Sequence, residues 1–402
     1  MSGIPIDRAR VTQTQKEEDS YVRLTLVLSA GLALIWASSA ASAQDLPSSV
    51  TGPYVEYQRA LEAGDGAGAF DAARRAFEAG EAERIGHETL GLLAENMGMA
   101  AFALGDHSAA YRAWREAAEL GERSGLAGTQ LAWRWYNAAL GAQQLDHVRN
   151  AYHCSREAVE ALPALDAMTE EALIFAPDAY FLHAQMTMSS GRMRGAYAPA
   201  EGFVALRRGR GTDLEASDAT AHFIAGVSRL FRGDNVEAAF HLHMTADIAD
   251  SQEDAPDWLK DVQLDARALE DLARGRARDD VARVDERLQA EPLYQSRHAP
   301  GMDDEERDLP PGMIDAVPIE RNEPRYPRSA AINGQEGVVV VEFSIDETGR
   351  AVDGFVRTAI PSEVFDEESL RALENWRYEL AMQDGVPVRR DGVIVSFTFM
   401  LR

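Results

Sequence analysis

The chain of 402 residues carries nine histidines and a single cysteine, the side chains best suited to nucleophilic, acid–base or metal chemistry. Their spacing does not assemble a site. His147 and His153 flank no second ligand pair, and His241-Leu242-His243 is an i, i+2 pair that diverges on a helix. Cys154 follows His153, yet adjacent helical residues point apart, so a buried thiol is expected rather than a nucleophile. Ala63–Ala69 (AGDGAGA) has neither the preceding strand nor the lysine of a phosphate-binding loop. The 66 carboxylates follow from the overall charge and single out no catalytic pair. No enzyme, metal or cofactor site is therefore expected. The stretch with chemical meaning is RNEPRYPRSA: Arg321, Asn322, Glu323, Pro324, Arg325, Tyr326 and Pro327 open it. Prolines stiffen an extended entry, arginines supply a positive lip in an acidic chain, and the tyrosine can cover an apolar edge. Burial of the tyrosine ring at the start of a helix is the plain alternative.

Such a lip must be held by the elements behind it. Gly337–Asp346 (GVVVVEFSID) alternates, with Val339, Val341, Phe343 and Ile345 on one face; Gly349 marks a turn, and residues 350–360 return as a second strand. Residues 362–380 are expected as a helix with Glu367 and Glu368 at its positive end and Leu370, Leu373 and Trp376 in one stripe. The last segment alternates again, Val393, Val395, Phe397, Phe399 and Leu401 facing one way, with Ile394, Ser396, Thr398 and Met400 facing the other.

In order and spacing these pieces resemble the C-terminal domain of the TonB family, energy-transducing proteins of the bacterial envelope. The likeness runs from Met313 to Arg402, less than a quarter of the chain. It implies a short helix after Tyr326-Pro327, a three-stranded antiparallel sheet and one helix packed on it. In that family the domain grips a short extended segment, the TonB box, of an outer-membrane receptor. The box adds as a strand beside the last strand of the sheet. Carried onto this chain, the gripping elements are Val393–Leu401 with Arg321–Pro327, and the affinity comes from unpaired backbone groups of an edge strand. Two features depart from the family: residues 23–43 contain no histidine, and a helical region replaces the long Pro-rich spacer.

That region, 54–290, is rich in Ala, Leu, Glu and Arg and reads as helical. An alanine followed by an aromatic recurs at Ala69-Phe70, Ala110-Tyr111, Ala151-Tyr152, Ala196-Tyr197 and Ala239-Phe240, at spacings of 41, 41, 45 and 43 residues. Helix, Gly/Asp turn and second helix, with the alanine allowing close approach, resemble lengthened tetratricopeptide repeats; a generic helical array is the alternative. Trp114, Trp133, Trp135, Tyr136 and Tyr152 either line a groove or fill the gaps between helices. Glu291–Met313, with four prolines and a charge run at Asp303–Asp308, reads as a linker.

The formal charge of −26 disfavours nucleic acid and anionic lipid. Residues 23–44 join Arg23 to an apolar core and small residues at Ala41 and Ala43, so a signal peptide cleaved before Gln44 is expected. The alternative is an uncleaved anchor, because the uncharged stretch from Leu24 to Ala43 would span roughly 30 Å as a helix.

The expected whole is multidomain. Residues 1–43 form an extension and signal peptide or anchor, 54–290 an all-α solenoid, 291–312 a linker, and 313–402 a small α+β domain. It would be an exported periplasmic interaction protein whose C-terminal domain binds an outer-membrane transporter or another envelope partner. Its helical repeats would take a second protein, and the edge strand could also pair two copies. An inner-membrane-anchored transducer for active transport, and an adaptor with no transporter partner, are the alternatives.

Overall fold

The computed structural model describes residues 46–211, 213–252, 254–291, 313–361 and 363–401. The expected signal peptide or anchor at 23–43, and all but Glu291 of the expected linker, lie outside them. The described chain forms two compact units that divide between Asp213 and Leu214.

The first unit contains helices α1 (Ser48–Glu62), α2 (Gly66–Ala82), α3 (His87–Ala103), α4 (His107–Ser124), α5 (Thr129–Gln144), α6 (Val148–Ala161), α7 (Ala176–Ser189) and α8 (Tyr197–Arg210). Each packs on the next, which is how an array of hairpins buries apolar faces that no single hairpin could cover. The Gly/Asp turns are also caps: Asp65 and Asp106 side chains each accept a hydrogen bond from a backbone N–H in the following first turn, at 2.9 Å. Three residues further into α2, α4 and α6, the recurring alanines Ala69, Ala110 and Ala151 are fully buried, as are Ala196 and Ala239 in the later repeats. Of the aromatics that follow them, Tyr111 and Phe240 are buried, while Phe70, Tyr152 and Tyr197 are half-buried. The repeat signature thus marks contact points between paired helices.

Trp114, Trp135 and Tyr136 lie in the core of this unit, with Trp133 and Tyr152 partly buried against it. They fill the spaces between helices. Beside them, Arg134 pairs with Glu95 at 3.1 Å; both side chains are buried. Trp133 Nε1 donates to the same carboxylate, and Arg134 also donates to the Ala117 carbonyl.

The second unit begins with α9 (Ala216–Arg232), α10 (Asn235–Asp250), α11 (Asp257–Ala277) and α12 (Val281–Gln289). Its C-terminal portion holds short strands β1 (Met313–Ile314) and β2 (Pro318–Glu320), helix α13 (Arg328–Ile332), and long strands β3 (Gly337–Ile345) and β4 (Ala351–Ile360). Helix α14 (Asp366–Leu373) follows, then short strands β5 (Arg377–Tyr378), β6 (Met382–Gln383) and β7 (Val386–Pro387), and finally β8 (Arg390–Phe399). The main sheet is antiparallel with order β4-β3-β8; β1-β6-β7 and β2-β5 are small accessory sheets.

One expectation changes here. The helix expected across 362–380 stops at Leu373, and Arg377–Tyr378 pairs with β2 instead. Trp376 lies beyond the helix and fills the core with Phe343 and Phe397, so its burial comes from the loop rather than from a helical stripe.

Candidate functional site: the free edge of the C-terminal sheet

The core of the C-terminal domain explains why β8 forms where it does. Val339, Val341, Phe343 and Ile345 of β3 point to one face, where they meet Phe365, Leu373, Trp376, Phe397 and Phe399. Along β8 the odd-numbered residues Val393, Val395, Phe397 and Phe399 turn inward, and Ile394, Ser396 and Thr398 are exposed. Period-two alternation fixes this register, since a one-residue slip would expose every apolar group. The strand ends at Phe399; Met400 and Leu401 continue past it, and the Leu401 N–H donates to Glu336 at 3.1 Å.

In the order β4-β3-β8 each outer strand has one partner among the described residues. The two edges differ. β4 meets β3 with two register breaks, carries Asp353 at φ 54°, and so twists away from a flat pairing geometry. β8 pairs with β3 without interruption from Gly337↔Phe399 to Phe343↔Val393. A long regular edge with unpaired backbone groups is the better template for an added strand.

The residues of the expected lip divide by role. Arg321 lies over the Trp376 ring, 5.0 Å to its centroid, and its Nε donates to the Tyr378 hydroxyl at 3.2 Å. Asn322 offers its backbone carbonyl to Trp376 Nε1 at 2.9 Å. Both therefore seat the core tryptophan. Glu323 and Arg325 are exposed, Pro324 is half-buried, and Pro327 caps α13. The Tyr326 ring meets Phe399 and Phe365 edge-on at 5.9 Å and 5.7 Å, and its hydroxyl donates to the Gln335 carbonyl. The structure thus brings Tyr326 to the end of β8, while Arg321, exposed itself, is laid against the Trp376 and Tyr378 rings.

One element of the site escaped sequence reasoning. Val338 and Val340 point away from the core just described, yet both are buried. Helix α11 covers them. Thr358, which pairs with Val340, donates from its hydroxyl to Asp265 at 2.6 Å, and Arg357 pairs with Asp261. The signal was present in the unbroken Val338–Val341 run. A strand apolar at every position is one buried on both faces, whereas the alternating reading accounts for only one.

Elsewhere the chemically able side chains are engaged in packing. His241 faces His222 at 3.0 Å between ring nitrogens, and His243 faces Glu270 at 3.0 Å, so the i, i+2 pair does diverge. Cys154 is buried, and burial pushes its thiol up to about 12. Among the described residues no three His, Cys, Asp or Glu side chains converge as a metal site. Among the same residues no helix is long and apolar enough to cross a membrane.

A small antiparallel sheet carrying a helix on its core face, with one regular edge that has no further strand partner among the described residues, defines the class of this C-terminal domain. Residues 322–401 match the family model described as the Gram-negative bacterial TonB protein C-terminal. Over 92 residues the chain is 37% identical to Protein TonB of Pseudomonas aeruginosa, covering 22% of this chain and 27% of that one. With Protein TonB of Escherichia coli K12 the figures are 32% over 83 residues, 21% and 32%. The chain thus spans about a quarter to a third of the length of the curated relatives it matches. Among solved structures, the solution structure of the Pseudomonas aeruginosa TonB C-terminal domain is 36% identical, covering 22% of this chain and 88% of that chain, with a TM-score of 0.20. A crystal structure of Podospora anserina putative kinesin light chain TPR-like repeats covers 52% of this chain and 100% of that chain at 13% identity and a TM-score of 0.35.

Proposed function

We propose that this is an exported periplasmic interaction protein whose C-terminal domain, residues 313–402, takes an extended segment of an outer-membrane transporter as an added strand along β8. The observation that carries this reading is the regular ladder of β8 from Val393 to Phe399, with its one register shift confined to the Arg390 end, beside a β4 broken twice along its length. Val393–Phe399 supply the backbone groups, Ile394, Ser396 and Thr398 face the outer flank of the added strand, and Tyr326 closes one end. Glu323 and Arg325, exposed in the same stretch as Tyr326, select among partners. The match of residues 322–401 to the TonB C-terminal family supports a receptor segment as the partner. The helical array takes a second protein.

Hydrogen exchange on the full chain tests the strand addition. A TonB-box peptide in excess is expected to slow exchange along Val393–Phe399 and to leave the first unit unchanged. Exchange that stays the same along β8 at saturating peptide rules the transporter reading out. Slowing that follows protein concentration without peptide assigns the edge to self-pairing instead. Val395→Pro removes a strand N–H, and it is expected to abolish the peptide effect together with β8 itself.

A further inference from the structure

The second face of the main sheet carries an inference that does not depend on which partner uses β8. A sheet of this size needs one helix to bury one face; here it is covered on two. On the core face α14 and Trp376 close over Val339, Val341 and Phe343. On the other, α11 presents one stripe, Asp261, Asp265, Ala268, Leu272 and Gly275, at the i, i+4, i+7, i+11, i+14 spacing of a single helix face.

Every polar member of that stripe meets the sheet or its flanks. Asp261 pairs with Arg357, which also reaches Glu342 at 2.9 Å, and Asp265 accepts from Thr358. At the far end Arg276 pairs with Glu336 at 3.1 Å, and the same carboxylate accepts the Leu401 N–H. Met400 lies against Gly275, and a side chain larger than glycine's there would displace its thioether. Between the two ends Val338 and Val340 lose their solvent.

We infer that α11 is a permanent in-cis cover of the sheet's second face, held by a charge clamp at each end. The TonB-like domain is then not a module tethered by residues 292–312; it is docked on the last helices of the array. Burial supplies the attraction, since two valines and Leu272 leave water together. The clamps, half-exposed, supply register more than strength. With Val338 and Val340 covered on that face and β4 bulged, β8, whose Ile394, Ser396 and Thr398 stay exposed, is the side of the sheet left open to another chain.

Thiol labelling of the full chain reads the cover directly. In a Cys154→Ala background, single cysteines are placed at Val340 under α11, at Val341 under α14, and at exposed Ile332. Val340→Cys is expected to label at least about tenfold more slowly than Ile332→Cys, because modification requires local opening. Arg357→Glu should raise the Val340→Cys rate several-fold while Val341→Cys stays protected, and adding Asp261→Arg should restore protection. Protection at Val341 reports that the domain remains folded in each variant. Val340→Cys labelling as fast as Ile332→Cys, with Val341→Cys protected, would show that nothing covers the second face. Protection at Val340 untouched by Arg357→Glu would show that the clamp holds nothing.

Discussion

Arg321 and Trp376 illustrate how a residue that reads as surface chemistry can serve the interior. The guanidinium lies over the indole and donates to the Tyr378 hydroxyl, while the indole N–H reaches the Asn322 carbonyl. Arg321→Ala is expected to cost about 1–2 kcal/mol, a cation–π contact and a hydrogen bond together. Trp376→Ala, which empties a buried site, is expected to cost about 3–5 kcal/mol. Urea unfolding followed in the second unit checks both. If Arg321→Ala leaves stability intact and instead weakens partner binding, the lip reading of Arg321 is restored. His183 gives a second prediction. Burial lowers its imidazole from 6.5 to about 4, with the Arg156 charge adding to the effect, and the Ser155 hydroxyl lies 3.1 Å from Nδ1. The unfolded chain therefore binds more protons between these values. The contribution of His183 to stability is expected to be complete above about pH 6.5 and to be lost as pH drops toward about 4, by on the order of 3 kcal/mol. His183→Asn should flatten this region of the pH profile of the first unit; a profile as steep as that of the unsubstituted protein would assign the loss to other groups.

At the scale of elements, the buried Glu95–Arg134 pair joins α3 to α5. Burial pushes the Glu95 carboxyl up and the guanidinium pulls it back, so the pair persists only with both partners present. Arg134→Met leaves an uncompensated acid and is expected to cost about 3–5 kcal/mol, most of it recovered in the Arg134→Met/Glu95→Leu double variant. Thermal unfolding of these variants decides this, and equal losses in single and double variants would refute it. Element identity was largely legible in the sequence. Alternation placed β3 and β8 by the face each turns to the core of the C-terminal domain, the turn at Gly349 placed β4, and the Ala-aromatic repeat placed the helical contacts at alanines that are fully buried. What was not legible has a physical cause. The helix after Asp366 ends at Leu373 because Arg377 and Tyr378 are drawn into pairing with β2, a contact far away in sequence that no local period reports. Likewise the role of Arg321 depends on which ring lies beneath it, not on its neighbours in the chain.

For the whole molecule, local repeats report each hairpin but not where one compact unit ends. The Ala-aromatic signature continues through Ala239-Phe240, although the units divide at Asp213 and Leu214. The charge of −26 remains a statement about partners rather than fold. The expectation that the chain is exported is tested by the mature N-terminus: Edman or mass-spectrometric sequencing should find Gln44, and an intact segment from Leu24 to Ala43 would favour the anchored transducer. A last consequence concerns mechanics. Because β8 lies antiparallel to β3, tension applied along an added strand would load their ladder in shear, all pairs resisting together. Pulled sideways, the same pairs would open singly and in succession. The central strand that receives this load is held between helices on both faces, so the sheet is braced where the stress arrives.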